Sequence, residues 1–343
     1  MTRRQPVHVV YGGAHLFRSD IARKLGGLAL ASLDRWNPSP AELDCSEEVL
    51  AKVREKLVRE PVEDFRIDFE DGYGVHSEEE EDRDVAAAAQ RVREGADAGT
   101  LPPFLGIRIR PLNGHTRERS LRTLRQFLQT VSYRLPANFR VTLPKVERPE
   151  EVAQLAVELR GRAWIEALVE TPPLLPRLRE LVDAAGGKLL SVHLGPYDLL
   201  ASLGIAAPFQ RLHHSACTAA RFQMLTAFAG TDVEVVDGPT KILPLGEHRE
   251  PVIAAWQQHR DEILLSLAEG FYQGWDLHPA QLVTRYATLY QFYSQHAPTM
   301  QARLANYEAG AETAVVLQRQ FDDASTVRGL RHFLQRARDC GAI

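Results

Sequence analysis

Cysteine is scarce in this chain. There are three in 343 residues (Cys45, Cys217 and Cys340), and no two form a CxxC pair. That excludes a disulfide framework and a structural zinc site and points to a reduced, cytoplasmic compartment. Long apolar runs are missing too. The longest stretch without Asp, Glu, Lys or Arg, residues 286–302, is interrupted by Gln, Ser, His, Thr and Pro, so no membrane span is expected. The opening Met-Thr-Arg-Arg-Gln-Pro leads straight into Val7–Tyr11 without a signal-peptide core. Nor is there a basic excess: 41 basic and 45 acidic residues leave a net charge of −4, which argues against a general nucleic-acid partner. No GxGxxG follows the first apolar run, which weakens a dinucleotide-binding reading. Internal repeats, low-complexity segments and Ser/Gly-rich linkers are absent from the sequence.

What is present is ordinary globular composition, with 44% apolar and 25% charged residues. The length fits two domains or one enlarged barrel. Short β-type runs decide between them. They fall at Val7–Tyr11, Phe65–Phe69, Leu105–Arg110, Arg140–Leu143, Trp164–Val169, Leu189–Leu194, Val233–Val236 and Trp275–Leu277. Amphipathic segments lie between them, at 47–58, 80–95, 116–131, 149–160, 174–184 and 213–229. Strands alternating with helices predict a buried parallel sheet, and this many βα units predict a closed (β/α)8 barrel. The barrel is expected over residues 1–285, with a helical extension over 286–343 that packs on the barrel or on a neighbouring subunit. Within and beside that extension, 281–296, 300–320 and 324–338 all read as helix.

In a parallel barrel the chemistry sits at the C-terminal strand ends. There the sequence places Asp68-Phe69-Glu70-Asp71-Gly72, Arg108-Ile109-Arg110, Lys145-Val146-Glu147, Glu170-Thr171-Pro172, His193 to Asp198, Asp237 with Lys241 nearby, and Asp276-Leu277-His278. The carboxylates, with no useful cysteine, suit a hard oxygen-seeking ion such as Mg²⁺, with Mn²⁺ as its substitute. Arg108, Arg110 and Lys145 suit an anionic substrate. Bland alternatives exist for several positions. Thr171 and Asp198 could be N-caps, Ser77 caps the acidic helix start Glu78–Asp84, and His193, His278 and His213-His214 read best as structural.

The ordered segments IDFEDGYG (67–74), IRIR (107–110), LPKVE (143–147), VETP (169–172), GPYDLLASLGI (195–205) and GWDLHPAQL (274–282) resemble the HpcH/HpaI aldolase and citrate lyase β-subunit superfamily. Their surroundings are similar to an aldolase-like branch without an assigned substrate. The resemblance implies metal ligation by Glu170 and Asp198 and oxo-acid binding by Arg108. It implies that Glu70 and Asp71 hold metal-bound waters and orient that arginine. Arg110, Lys145, Gly195 and Pro196 would line the substrate side. Arg110 stands where the family carries Asn.

The expected activity is therefore a Mg²⁺-dependent carbon–carbon lyase acting next to a pyruvate- or oxaloacetate-type 2-oxo acid, through a metal-stabilised enolate. The resemblance also implies a homo-oligomer, a trimer or a hexamer. The acyl-CoA lyases of the superfamily bring a catalytic Asp from a lid after the HPAQ segment. The comparable stretch here, Tyr307 to Thr313, has no Asp, only Glu308 and Glu312. This disfavours a CoA thioester and favours a free oxo acid. The rival readings are a non-catalytic barrel that binds metal and oxo acid, an acyl-CoA lyase, and a carrier-dependent β-subunit of a larger lyase.

Overall fold

A computed structural model describes residues 4–132, 134–310, 315–317 and 320–343. Eight parallel strands form the centre: β1 (His8–Gly13), β2 (Asp64–Asp68), β3 (Phe104–Arg108), β4 (Arg140–Leu143), β5 (Trp164–Val169), β6 (Leu189–Leu194), β7 (Glu234–Val236) and β8 (Gly274–Asp276). The ladder runs β7-β6-β5-β4-β3-β2-β1-β8. A bridge from Pro239 to Trp275 and a bond from Asp237 N to the Gln273 carbonyl (3.0 Å) join the remaining edges. The expected (β/α)8 barrel is thus the observed fold.

The helices are α1 (Ile21–Trp36), α2 (Pro40–Leu43), α3 (Glu47–Arg59), α4 (Glu78–Ala98), α5 (Arg117–Thr130) and α6 (Pro149–Leu159). They continue with α7 (Glu180–Ala184), α8 (Pro196–Ser202), α9 (Ser215–Phe228), α10 (Arg249–Ala268), α11 (Gln281–Ala309) and α12 (Ala324–Asp339). Their local signals are the expected ones. Ser77 caps α4 in a reciprocal capping box with Glu80, and four glutamates fill the first turn, where the helix dipole favours them. None of the described helices is long and apolar enough to cross a membrane.

Strand alternation divides the residues between two environments. On β2, Phe65, Ile67 and the following Phe69 join the hydrophobic layer under the helices. Asp64, Arg66, Asp68 and the following Glu70 take the opposite parity and are also buried. They point into the barrel. Its middle is therefore filled by ion pairs instead of the usual branched apolar layers. Arg66 donates to Glu166 (2.7 Å and 2.5 Å) and to Asp64 (3.0 Å). Arg140 reaches the same two carboxylates at 3.1 Å and 3.3 Å.

The C-terminal region departs from the sequence reading. Helix α11 runs unbroken from Gln281 to Ala309, through Pro298 and across the 285/286 boundary. Tyr286, Tyr290, Tyr293 and Ala297 bury one face, and that packing carries the helix past the proline. The predicted helix over 300–320 ends at Ala309; Val315–Leu317 (β9) and Gln320–Asp322 (β10) instead pair as an antiparallel hairpin. Glu312 lies outside the described residues. At its start α11 touches the C-terminal side of the barrel, where Gln281 Nε2 donates to the Thr240 carbonyl (3.1 Å). By Tyr286 it has reached the other side, bonding the Pro61 carbonyl ahead of β2 (3.1 Å). At about 1.5 Å per residue, its last five or so turns extend beyond the strand N-termini. Helix α12 packs back along α11, with Tyr290 Oη donating to the Cys340 carbonyl at 2.9 Å. The extension thus lies at the pole opposite the C-terminal strand ends.

Candidate metal and oxo-acid site

The C-terminal mouth is assembled from the ends of β2 to β6. Asp68 clamps Arg108 side-on, with Nε at 2.7 Å and Nη2 at 2.5 Å from its two oxygens. Glu70 Oε2 stands 3.1 Å from Arg108 Nη1. The guanidinium also lies 4.8 Å from the Tyr11 ring and 5.6 Å from the Trp275 ring, inside cation–π range. Burial alone would lower the pKa of Arg108, but Asp68 and Glu70 raise it, so it stays charged.

After β2 the chain turns sharply. The Asp68 carboxylate accepts from Glu70 N (3.0 Å) and Gly72 N (2.7 Å). A Cβ on Gly72 would lie 2.6 Å from Asp68 Oδ2, so the turn needs glycine there. The turn lets the neighbours Glu70 and Asp71 face one partner, Lys145. Its ammonium donates to Glu70, stands 3.3 Å and 3.4 Å from the Asp71 oxygens and 3.9 Å from Asp198 Oδ1. Burial lifts the Glu70 carboxyl above its ordinary range against the pull of Arg108. Burial also acts on Asp71, but Arg108 and Lys145 outweigh it and its pKa falls.

Lys145 has φ of +50°, a left-handed conformation uncommon for a side-chain-bearing residue. This strained link turns its backbone N–H onto Glu170 Oε1 (2.6 Å), while Asn113 Nδ2 holds its carbonyl (3.0 Å). Glu170 follows β5 and is 3% exposed. Burial, then the charge of Asp198, raises its pKa to about 8. Asp198 itself is in the first turn of α8 and 45% exposed; it does not cap the helix, whose N-cap is Gly195. Gly195 makes room for the Glu170 carboxylate. A Cβ there would sit 2.2 Å from Glu170 Oε2. Gly195→Ala should therefore displace Glu170 and weaken divalent-ion binding by at least about tenfold, measurable by calorimetry with Mg²⁺, with the fold intact by circular dichroism. Pro196 opens α8, packed where a Cβ on Gly238 would meet its Cδ at 2.4 Å.

The structure thus brings together Arg108, Glu70, Asp71, Lys145, Glu170, Gly195, Pro196 and Asp198. Arg110 is not among them. Its guanidinium bonds Glu81 on α4 (3.1 Å) and the Gly74 carbonyl (3.4 Å). Lys241 lies over the Tyr197 ring at 5.1 Å. Asp237 faces the helices, accepting from Ser266 Oγ (2.6 Å). His278 accepts from Ala280 N (3.1 Å), and burial lowers its pKa. Glu308 pairs with Arg331 (3.5 Å) in the distant extension. A cavity of about 670 Å³ between the strand starts and α12, lined by Leu189, Tyr272, His332 and Arg336, contains none of the site residues. The sequence places Asp68 at a strand end but assigns it no role, and Tyr11 carries no signal of one. The charged–apolar alternation of Asp64 to Glu70 was the available signal for Asp68.

Among the described residues, no three His, Cys, Asp or Glu side chains form a ready-made metal cage. Two carboxylates that leave the other positions to water and substrate are the usual arrangement for Mg²⁺. The donor set fits that ion: all oxygen, with Glu170 buried against Asp198.

The family described as Domain of unknown function (DUF6986) matches residues 1–343. This chain belongs to that family. No curated protein matches it. Among solved structures, a citrate lyase from Burkholderia xenovorans LB400 superposes with a TM-score of 0.67 at 18% identity, covering 98% of this chain and 92% of the other. CitE from Mycobacterium tuberculosis, in complex with magnesium, acetoacetate and coenzyme A, gives 0.60 at 18% identity, covering 98% and 99%. The citrate lyase β-subunit of the same organism, complexed with oxaloacetate and magnesium, gives 0.50 at 20% identity over 84% and 98%. At these identities the likeness is one of fold, and it agrees with the superfamily that the ordered motifs resemble.

Proposed function

We propose that this DUF6986 protein is a Mg²⁺-dependent carbon–carbon lyase acting on a pyruvate- or oxaloacetate-type 2-oxo acid. One observation carries the reading. The mouth gathers Asp68, Glu70, Asp71, Glu170 and Asp198 against Arg108 and Lys145, and no described cationic side chain bridges Glu170 to Asp198. Glu170 and Asp198 are the residues that would hold a divalent cation, whose charge would balance theirs. Structural neighbours bound to magnesium with oxaloacetate or acetoacetate support the assignment. When bound, the ion contributes Lewis acidity toward the 2-oxo group.

The chain's own residues do the rest. Arg108 has five N–H groups. Asp68 takes Nε–H and one on Nη2, and Glu70 Oε2 pairs with Nη1 by charge at 3.1 Å. Both Nη atoms keep further N–H groups, with which the guanidinium fork can grip a substrate carboxylate. Asp68 and the Tyr11 ring fix this fork before substrate arrives, so it costs little reorganisation as negative charge develops. Lys145, tied to Glu70, Asp71 and Asp198, keeps those acids from repelling the anion. The lack of an Asp matching the lid motif supports a free oxo acid over a CoA thioester. With the extension at the opposite pole, one subunit cannot cover its own mouth with its C-terminal helices, which supports the homo-oligomer.

The test is turnover of oxaloacetate and of 4-hydroxy-2-oxo acids with Mg²⁺, alongside binding by thermal shift. Cleavage that stops with EDTA is expected; binding without turnover across the panel would favour a non-catalytic barrel. Arg108→Lys should weaken pyruvate binding about 10–100-fold, because a single ammonium cannot reproduce the two-pronged contact. Calorimetry with Mg²⁺ and pyruvate reads this directly, and unchanged affinity would make Arg108 structural.

A further inference from the structure

Cleavage beside a hydroxylated carbon needs a group that accepts a proton and gives it back. At the mouth, Arg108 keeps its protons and Lys145 is spent on carboxylates. One layer deeper, on β6, His193 is fully buried. Its Nε2 lies 2.9 Å from Ser191 Oγ and 3.4 Å from Glu166 Oε1, and Ser191 Oγ lies 2.9 Å from the same Glu166 oxygen. These distances fix the tautomer. A serine hydroxyl has one proton, and here it goes to the carboxylate, so Ser191 offers His193 only a lone pair. Nε2 must carry the ring hydrogen and donate it. In the neutral ring Nδ1 is then the basic nitrogen. Nδ1 is buried and has no hydrogen-bond partner among the described residues.

Two further features suit this nitrogen to proton transfer. Glu166 is held by Arg66, by Thr142 Oγ1 (2.7 Å) and by Arg140, so the imidazole is oriented by a fixed anion. Strand alternation puts His193 and Gly195 on the same inward face, about 6.6 Å apart along β6. Gly195 carries no side chain, and the space against it holds the Glu170 carboxylate. No β6 side chain thus lies beyond His193 on this face, and the group that fills the space there is the Glu170 carboxylate.

We propose that His193 Nδ1 is the proton acceptor and donor of the lyase reaction, with Ser191 and Glu166 as its positioning residues. The proposal rests on the lyase reading above. For a 4-hydroxy-2-oxo acid, Nδ1 takes the hydroxyl proton while the C4–O bond becomes a carbonyl. The electron pair of the breaking C3–C4 bond passes to the oxo-acid unit as its enolate. The imidazolium returns the same proton to C3, leaving a pyruvate-type acid and an aldehyde. In the reverse direction Nδ1 removes a proton from C3 of the oxo acid.

The reverse half-step can be read without knowing the natural substrate. Pyruvate and Mg²⁺ in D2O should exchange methyl protons on the wild-type protein, followed by proton NMR. His193→Gln should slow exchange at least about 100-fold while the calorimetric Kd for pyruvate with Mg²⁺ moves less than threefold. Ser191→Ala, which frees the tautomer but keeps the imidazole, should slow exchange about tenfold, also at unchanged Kd. Wild-type exchange rates in a His193→Gln protein that still binds pyruvate would overturn the proposal and leave the lyase reading standing. Wild-type binding without exchange would overturn it as well. If the wild-type protein neither binds pyruvate with Mg²⁺ nor turns over the oxo-acid panel, the lyase reading falls and His193 with it. Should His193→Gln fail to fold, the Ser191→Ala rate and Kd decide.

Discussion

Glu170→Gln is expected to cost the protein its Mg²⁺ affinity, by more than the 10–100-fold typical of changes to residues that merely support a ligand. The carboxylate is 3% exposed, so no water can replace its contribution cheaply. Its raised pKa, about 8, gives the experiment a second reading. Near neutral pH the metal-free carboxyl is largely protonated, and a cation must displace that proton. Mg²⁺ affinity of the wild type should therefore climb as pH rises toward 8 and level off above it. Each binding event below that pH should release close to one proton, visible as a buffer-dependent calorimetric enthalpy. The stability of the metal-free protein follows the opposite sign. A carboxyl whose pKa is higher in the folded than in the unfolded chain stabilises the fold below its ordinary range. That stability is lost as pH rises through the folded value. Glu170→Gln, which cannot ionise, should be more stable than the metal-free wild type above pH ~8. A wild type whose Mg²⁺ affinity is flat with pH would place the ion elsewhere.

The second large effect is expected far from any ligand. Arg66→Met should destabilise the barrel by about 3–5 kcal/mol, read from denaturant midpoints, because it leaves buried Asp64 and Glu166 with Arg140 as their one shared guanidinium. The harm comes from the orphaned charges more than from the lost pair. Adding Glu166→Gln to Arg66→Met should recover part of the loss. If the single variant unfolds at the wild-type midpoint, the interior ion pairs contribute nothing that a thioether cannot replace.

These two positions show what a sequence can disclose. Glu170 was legible because its neighbours, VETP on one strand end and GPYD on the next, stand in an order that matches a superfamily, and strand ends point to the mouth. Arg66 was not singled out. A parallel strand is expected to bury apolar residues on both faces, and nothing local says that Asp64, Arg66 and Asp68 share the inner one. Only the partners from β4 and β5 make that placement affordable. Arg110 went the other way: its parity matched Arg108, but the chain leaves the strand after Arg108, and Glu81 on α4 captures it. The hairpin after Ala309 was read as helix because short Val-Val-Leu and Gln-Phe-Asp runs have no period of their own. His193 looked structural because its value depends on which nitrogen is left over, a fact set by Ser191 and Glu166 together.

The ion-paired interior also sets how the barrel responds to temperature. An apolar filling holds by a force that weakens on cooling and reaches a plateau on warming. A filling of paired charges is opposed by hydration of its ions, and that hydration becomes less favourable as temperature rises. For Asp64, Arg66, Arg140 and Glu166, warming therefore lowers the cost of staying out of water.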